Sequence, residues 1–150
     1  MYRRILVPID GSKTSQRGLR EALALARTCH ASLVLLHVIE FYPMMVEMAA
    51  ATTWAQINTD LRDAGQKLLD QARQASLDAQ VSCETQLADA AVARVCDVIV
   101  EQARERQCDL IVMGTHGRRG IHHALIGSDA ERVIRMSPVP VLLVRSGEKA

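Results

Sequence analysis

Glycines gather at one place in this chain. The run Gly114-Thr115-His116-Gly117-Arg118-Arg119-Gly120 carries three glycines and two arginines in seven residues, and Gly127-Ser128 follows shortly after. Glycine lacks Cβ, so it reaches left-handed backbone angles and lets a phosphate come close to backbone amides. A helix opening at Ser128-Asp129-Ala130 would point its first amides outward and favour an anion by about 0.3–1 kcal/mol. Arg118 and Arg119 add cationic donors. Together the two glycine groups describe a phosphate cradle split between a loop and the helix after it. Gly114 taken alone reads as well as a tight turn.

Other chemistries are less well provided for. G-x-x-x-x-G-K-[ST] is absent, and no G-x-G-x-x-G follows the first apolar run, so neither a P-loop nor a dinucleotide fingerprint is present. His116, His122 and His123 invite a zinc reading, but adjacent histidines on a helix project about 100° apart. No acidic or thiol partner has ligand spacing with them. Ser128 is not in G-x-S-x-G, and no Ser-His-Asp set accompanies it. His116-Gly117 lacks the paired histidines of an adenylyl-transferring α/β enzyme. Cys29, Cys83, Cys96 and Cys108 form no C-x-x-C pair and read as buried, reduced thiols. His37, inside an apolar run, reads as a hydrogen-bonded core residue, and Arg3-Arg4 as the solvated start of a strand.

The elements that must position the cradle alternate. Ile5-Leu6-Val7-Pro8-Ile9, Leu33-Val34-Leu35-Leu36-His37-Val38-Ile39, Leu110-Ile111-Val112-Met113 and Val139-Pro140-Val141-Leu142-Leu143-Val144 are nearly continuous apolar runs, as in strands buried on both faces. Residues 81–87 alternate instead, which suits a sheet edge. Between the runs lie helical stripes: Leu19, Ala22, Leu23 and Ala26, after a capping Ser12 or Thr14; then Leu61, Leu68, Leu69, Ala72 and Ala75. Val92, Val95, Cys96, Ile99 and Ala103 form a third, and Ala130, Val133 and Ile134 a short fourth. The order β-α-β-α-β-α-β-α-β with right-handed crossovers predicts an open, mostly parallel five-stranded α/β sheet with helices on both faces. In such sheets a ligand sits outside the carboxyl ends of the strands, where Asp10-Gly11-Ser12, Glu40 and the glycine run fall. The Met-rich stretch 41–51 breaks the rhythm and reads as an irregular loop or extra helical turn packed over the sheet edge. Pro140 cannot donate to a ladder, so the last strand belongs at an edge. An apolar edge is best covered by the same strand of a second copy.

Composition narrows the function classes. With 49% hydrophobic and 23% charged residues in a chain of 150, one ordinary domain spanning 1–150 is expected and disorder is excluded. A net charge of +1 offers no electrostatic case for nucleic acid or an anionic membrane. One Phe, one Trp and two Tyr cannot furnish a stacking platform for single strands. No apolar run approaches the roughly 18 residues of a spanning helix, and the opening apolar run stops at Asp10, too early for a signal peptide. A soluble, cytoplasmic protein is the expectation.

The spacing Gly114-x2-Gly117-x9-Gly127-Ser128 resembles the nucleotide-binding motif of the universal stress protein family, in its ATP-binding branch. Ile5-Leu6-Val7-Pro8-Ile9-Asp10-Gly11-Ser12 and Ser137-Pro138-Val139-Pro140-Val141-Leu142-Leu143-Val144 are similar to the opening and closing motifs of that family, so the resemblance covers essentially the whole chain. It implies a Rossmann-like strand order 3-2-1-4-5 and a homodimer through the C-terminal strand. It places Pro8 and Asp10 beside the adenosine and the Val38 backbone against the adenine. Met113 and Gly114 would flank the ribose and phosphates, while Gly117, Arg118, Gly127 and Ser128 would hold the triphosphate. Asp129 departs from the pattern, in which a small or apolar residue often follows Gly-Ser; a carboxylate there could repel phosphate, cap the helix or hold Mg²⁺.

The resemblance thus implies a dimeric stress sensor or regulator that binds ATP with Mg²⁺, without dedicated turnover. The alternatives are a slow ATPase or phosphotransferase, which needs Asp10, Asp129 or a nearby histidine to orient an attacking water, and a nucleotide-free dimeric interaction module.

Overall fold

The apolar runs become five strands: β1 (Arg4–Pro8), β2 (Ser32–Glu40), β3 (Cys83–Ala90), β4 (Leu110–Gly114) and β5 (Val141–Val144). Between them run the helices α1 (Lys13–Cys29), α2 (Ala51–Asp78), α3 (Val95–Glu105) and α4 (Ser128–Met136). This computed structural model describes residues 1–41, 47, 50–90, 93–116 and 126–145. The sheet order is β3-β2-β1-β4-β5, and each pair is parallel. This is the order the family resemblance implies.

Strand period sorts the core into two layers. Ile5, Val7, Leu33, Leu35, Leu110 and Val112 point to one face and meet Leu19, Ala22 and Ala26 of α1 and Leu69 and Ala72 of α2. Leu6, Val34, Leu36, Ile111 and Met113 point to the other, against Cys96, Ile99 and Ala103 of α3 and Ala130 and Val133 of α4. Between the two candidate caps of α1, Ser12 does the work, with its hydroxyl accepting from the Ser15 amide at 3.1 Å.

Several bounds differ from the sequence expectation. β3 starts two residues later than residue 81 and runs on to Ala90, because its pairing with β2 continues to Glu40 opposite Ala90. The last strand starts at Val141, not 139: Pro140 contributes only its carbonyl, which accepts from the Ile111 amide at 3.0 Å. Helix α2 begins ten residues before the Leu61 stripe, and its first two turns are mostly exposed, so no stripe marks them. Of the Met-rich stretch, residues 42–46, 48 and 49 lie outside the described residues; Phe41 beside them meets Trp54 of α2 with ring centroids 5.2 Å apart.

Two smaller expectations also change. Cys96 and Cys108 are buried, but Cys29 and Cys83 are only half-buried, at the end of a surface helix and on an edge strand. Burial pushes the Cys108 thiol up to about 11. Arg4 is not simply solvated: it pairs with Glu84 of β3 at 2.6 Å, and Arg106 reaches the same carboxylate at 2.8 Å. The Arg106 hydrogen bond in particular holds the Glu84 carboxyl below its usual range.

Candidate functional site

Because β1 lies between β2 and β4, the chain leaves its carboxyl end in one direction and returns beside it in the other. That is the switch point at which open parallel sheets leave a crevice. Here a cleft of about 470 Å³ opens over the carboxyl ends of β1, β2 and β4, bounded by α2, α3 and the start of α4. Its volume falls in the range of small-molecule sites, about 300–1,000 Å³.

The turn after β1 forms one wall and is tightly closed. The Ser15 hydroxyl accepts from the Asp10 amide at 3.1 Å and donates to the Pro8 carbonyl at 3.2 Å. The Asp10 carboxylate accepts from the Ser12 amide at 2.8 Å. Gly11 sits at φ 83, a left-handed angle that favours glycine at this bend. Val38, on β2, is half-buried against the α3 side of the sheet and lines the cleft with Leu36 and Ile99.

The opposite wall includes Gly114, Gly127 and Ser128 from the two glycine groups. Gly114 ends β4 and is not in a turn; a Cβ there would lie 2.8 Å from Thr14 Cβ and 2.9 Å from the Thr14 backbone. Its missing side chain lets the first turn of α1 press on the end of β4, and Thr14 Oγ1 donates to the His116 carbonyl. Thr115 then continues toward β5, its amide donating to Val144 O at 2.9 Å, while its own carbonyl accepts from Gly127 N at 2.8 Å. That last bond pins the start of α4 to the end of β4.

Gly127 is the N-cap of α4 and offers no side chain to the helix. Ser128, Asp129 and Ala130 line the cleft at a helix start that has no side-chain cap bond from its N-cap residue, and the helix dipole adds positive potential there. Asp129 is the second helical residue and does not cap the helix; with Glu131 it puts two carboxylates in the first turn.

Eight sequence candidates thus line one cleft: Pro8, Asp10, Val38, Met113, Gly114, Gly127, Ser128 and Asp129. Gly117 and Arg118 lie outside the described residues, as do Arg119, His122 and His123. His116, one of the histidines considered for orienting a water, also lines the cleft, whereas sequence reasoning passed over Ser15, Leu61, Ala64, Val95 and Thr115 as lining residues. Of these, only Ser15, close after Asp10-Gly11-Ser12, and Thr115, inside the glycine run, carried any signal. Among the described residues the cleft holds three carboxylates, Asp10, Glu40 and Asp129, and no lysine or arginine. No group of three or more potential metal ligands occurs among them. No described helix is long and apolar enough to cross a membrane.

Comparison with known proteins places this geometry. Residues 1–145 match the family model of the universal stress protein family. Universal stress protein MJ0531 of Methanocaldococcus jannaschii is 33% identical over 149 residues, covering 99% of this chain and 85% of its own. The solved structure of MJ0577 from the same organism superposes with a TM-score of 0.87 at 26% identity, covering 99% of each chain. A universal stress protein solved in complex with cAMP superposes with a TM-score of 0.69 at 26% identity, covering 97% of this chain and 99% of its own.

Proposed function

This chain belongs to the universal stress protein family, and from that premise we propose that its cleft binds an adenine nucleotide, ATP with Mg²⁺, and that the protein is a dimeric, nucleotide-dependent stress regulator. The observation that carries the proposal is the convergence of residues from four separated stretches of sequence on one cleft that ends at the uncapped start of α4. A structural relative solved with cAMP supports an adenine nucleotide as the ligand class.

The cleft is polarised in the way such a ligand requires. Val38, Leu36 and Ile99 give an apolar end for the adenine, with the backbone of Val38 along it and Pro8 and Asp10 beside the ribose. Met113 and Gly114 lie between the two ends. Ser128 and its neighbouring amides would hold the phosphates with Gly127, and Gly117 and Arg118 would complete the cradle. Three carboxylates against a polyanion are unfavourable unless a cation lies between them. Mg²⁺ is commonly held by one or two carboxylates and the substrate phosphates, not by a closed protein cage. The described residues fit that mode: Asp10 is engaged with the Ser12 amide and Glu40 stands at the end of β2, so Asp129, in the first turn of α4, is the carboxylate at the phosphate end. Mg²⁺ held there would supply charge neutralisation. Binding would then alter the loop and α4 surface rather than drive dedicated turnover.

The dimer would form through β5. Among the described residues this strand pairs only with β4, and Leu142 is 43% exposed at the sheet edge. Pairing two such edges about a two-fold axis would satisfy the backbone and cover the leucine.

Calorimetric titration of the protein with ATP and Mg²⁺ tests the nucleotide assignment. We expect binding in the micromolar range, about −8 kcal/mol, and at least about tenfold weaker binding in Gly127→Val, whose Cβ would stand 3.2 Å from Thr115 O and whose branches would crowd the cradle. Equal affinity in a folded variant would remove Gly127 from the phosphate site.

A further inference from the structure

We infer that His37 is a positioning residue of the cleft: its imidazole, seated against Gly65 of α2, clamps the carbonyl of Ile9 and so fixes the turn that presents Asp10. A histidine in the middle of a parallel sheet is a polar group in an apolar layer, and His37 is only 3% exposed. Such a group is held by hydrogen bonds. Its Nδ1 lies 2.6 Å from Ile9 O. A carbonyl can only accept, so Nδ1 carries a proton.

Ile9 is the first residue beyond β1, where the ladder to β4 no longer supports the chain: that register covers Ile5 and Leu6. The Ile9 amide still donates to Leu36 O of β2 at 2.7 Å. His37 adds the second grip, from the same strand to the other end of the same residue. The next residue is Asp10, tied from the opposite side by Ser15 of α1. The turn is therefore held between a histidine on β2 and a serine on α1, and both side chains border the cleft.

The helix above is shaped for the ring. A Cβ on Gly65 would lie 2.5 Å from His37 Cδ2, 3.1 Å from its Nε2 and 2.9 Å from Leu87 Cδ1. A glycine inside a helix is unfavourable relative to alanine, and here it makes room for the imidazole.

The clamp is a property of the fold; its effect on affinity rests on the nucleotide assignment above. Two variants separate the donor from the bulk. His37→Leu removes the donor, whereas His37→Asn keeps an N–H near the position of Nδ1. In the wild type, long-range ¹⁵N–¹H spectra of the imidazole should show a proton on Nδ1; a ring protonated only at Nε2 overturns the clamp. Amide exchange at Asp10 and Ser12 should accelerate about tenfold or more in His37→Leu and stay within about threefold of wild type in His37→Asn. Exchange at Ile111 and Val112 should not change. Equal exchange in wild type and His37→Leu overturns the inference, as does equal acceleration in both variants. ATP affinity should fall about tenfold in His37→Leu and be rescued in His37→Asn. A wild-type protein that binds no ATP removes the nucleotide assignment instead, and the exchange comparison then decides the clamp alone.

Discussion

Replacing a glycine inside a helix by alanine ordinarily stabilises it by about 0.8–1 kcal/mol, yet Gly18 and Gly65 should respond with opposite signs. A Cβ on Gly18 would meet Gly114 N at 3.5 Å and Met113 C at 3.6 Å, ordinary contact distances that require no movement. Gly18→Ala should therefore gain most of the propensity difference. A Cβ on Gly65 would meet His37 Cδ2 at 2.5 Å and Leu87 Cδ1 at 2.9 Å, closer than side-chain carbons approach. The leucine end can swing aside. The imidazole is buried and bonded to Ile9 O, so it moves only by lengthening that bond. Overpacking of this kind costs about 1–3 kcal/mol, more than the propensity gain, and the net for Gly65→Ala is a loss of about 1 kcal/mol. In a domain of this length that corresponds to about 2–4 °C in Tm. Urea unfolding followed by circular dichroism gives both values, at one protein concentration so that self-association contributes equally. A Gly65→Ala midpoint raised as far as that of Gly18→Ala would refute the reasoning, since it would mean that the ring yields freely.

Asp129→Asn should weaken ATP binding when Mg²⁺ is present and strengthen it when Mg²⁺ is chelated, because the same carboxylate would hold the cation in one case and repel phosphate in the other; calorimetry in the two buffers reads the change of sign. Leu142→Glu should shift the protein from dimer to monomer in light scattering coupled to size exclusion without unfolding it, since the side chain is already 43% exposed. Val141→Glu should instead lower stability, because Val141 packs on the α3 and α4 side of the core. The Glu84 carboxyl is depressed by its hydrogen bond to Arg106, so its contribution is present above its ordinary value of 4.5 and is lost as pH falls through the lower folded value. The stability gap between wild type and Glu84→Gln should accordingly narrow in urea titrations carried out progressively below pH 4.5.

Much of this was written in the sequence because it is periodic. Apolar runs of strand length separated by helical stripes sufficed for an open parallel sheet, and the ends of those strands pointed to the cleft that Pro8, Asp10, Met113, Gly127 and Ser128 line. What was not legible depends on contacts between distant residues. Gly114 reads as a turn or phosphate glycine, yet its lack of Cβ is taken up by Thr14, a hundred residues earlier in the chain. An isolated glycine in a helical stripe was the available signal for Gly65, but nothing local says that a histidine on β2 lies beneath it. The first turns of α2 left no stripe because they are mostly exposed. The strand start at residue 139 failed because Pro140 has no amide to give the ladder.

The central claim is that an adenine nucleotide occupies the cleft over β1, β2 and β4 with its phosphates at the start of α4. Titration of ¹⁵N-labelled protein with ATP and Mg²⁺, followed by ¹H–¹⁵N correlation spectra, tests it most directly. The predicted result is saturable shifts concentrated at the amides of Asp10, Val38, Gly114, Thr115, Ser128, Asp129 and Ala130. Absence of saturable shifts, or shifts confined to the other end of the sheet around Arg4, Glu84 and Arg106, would contradict it.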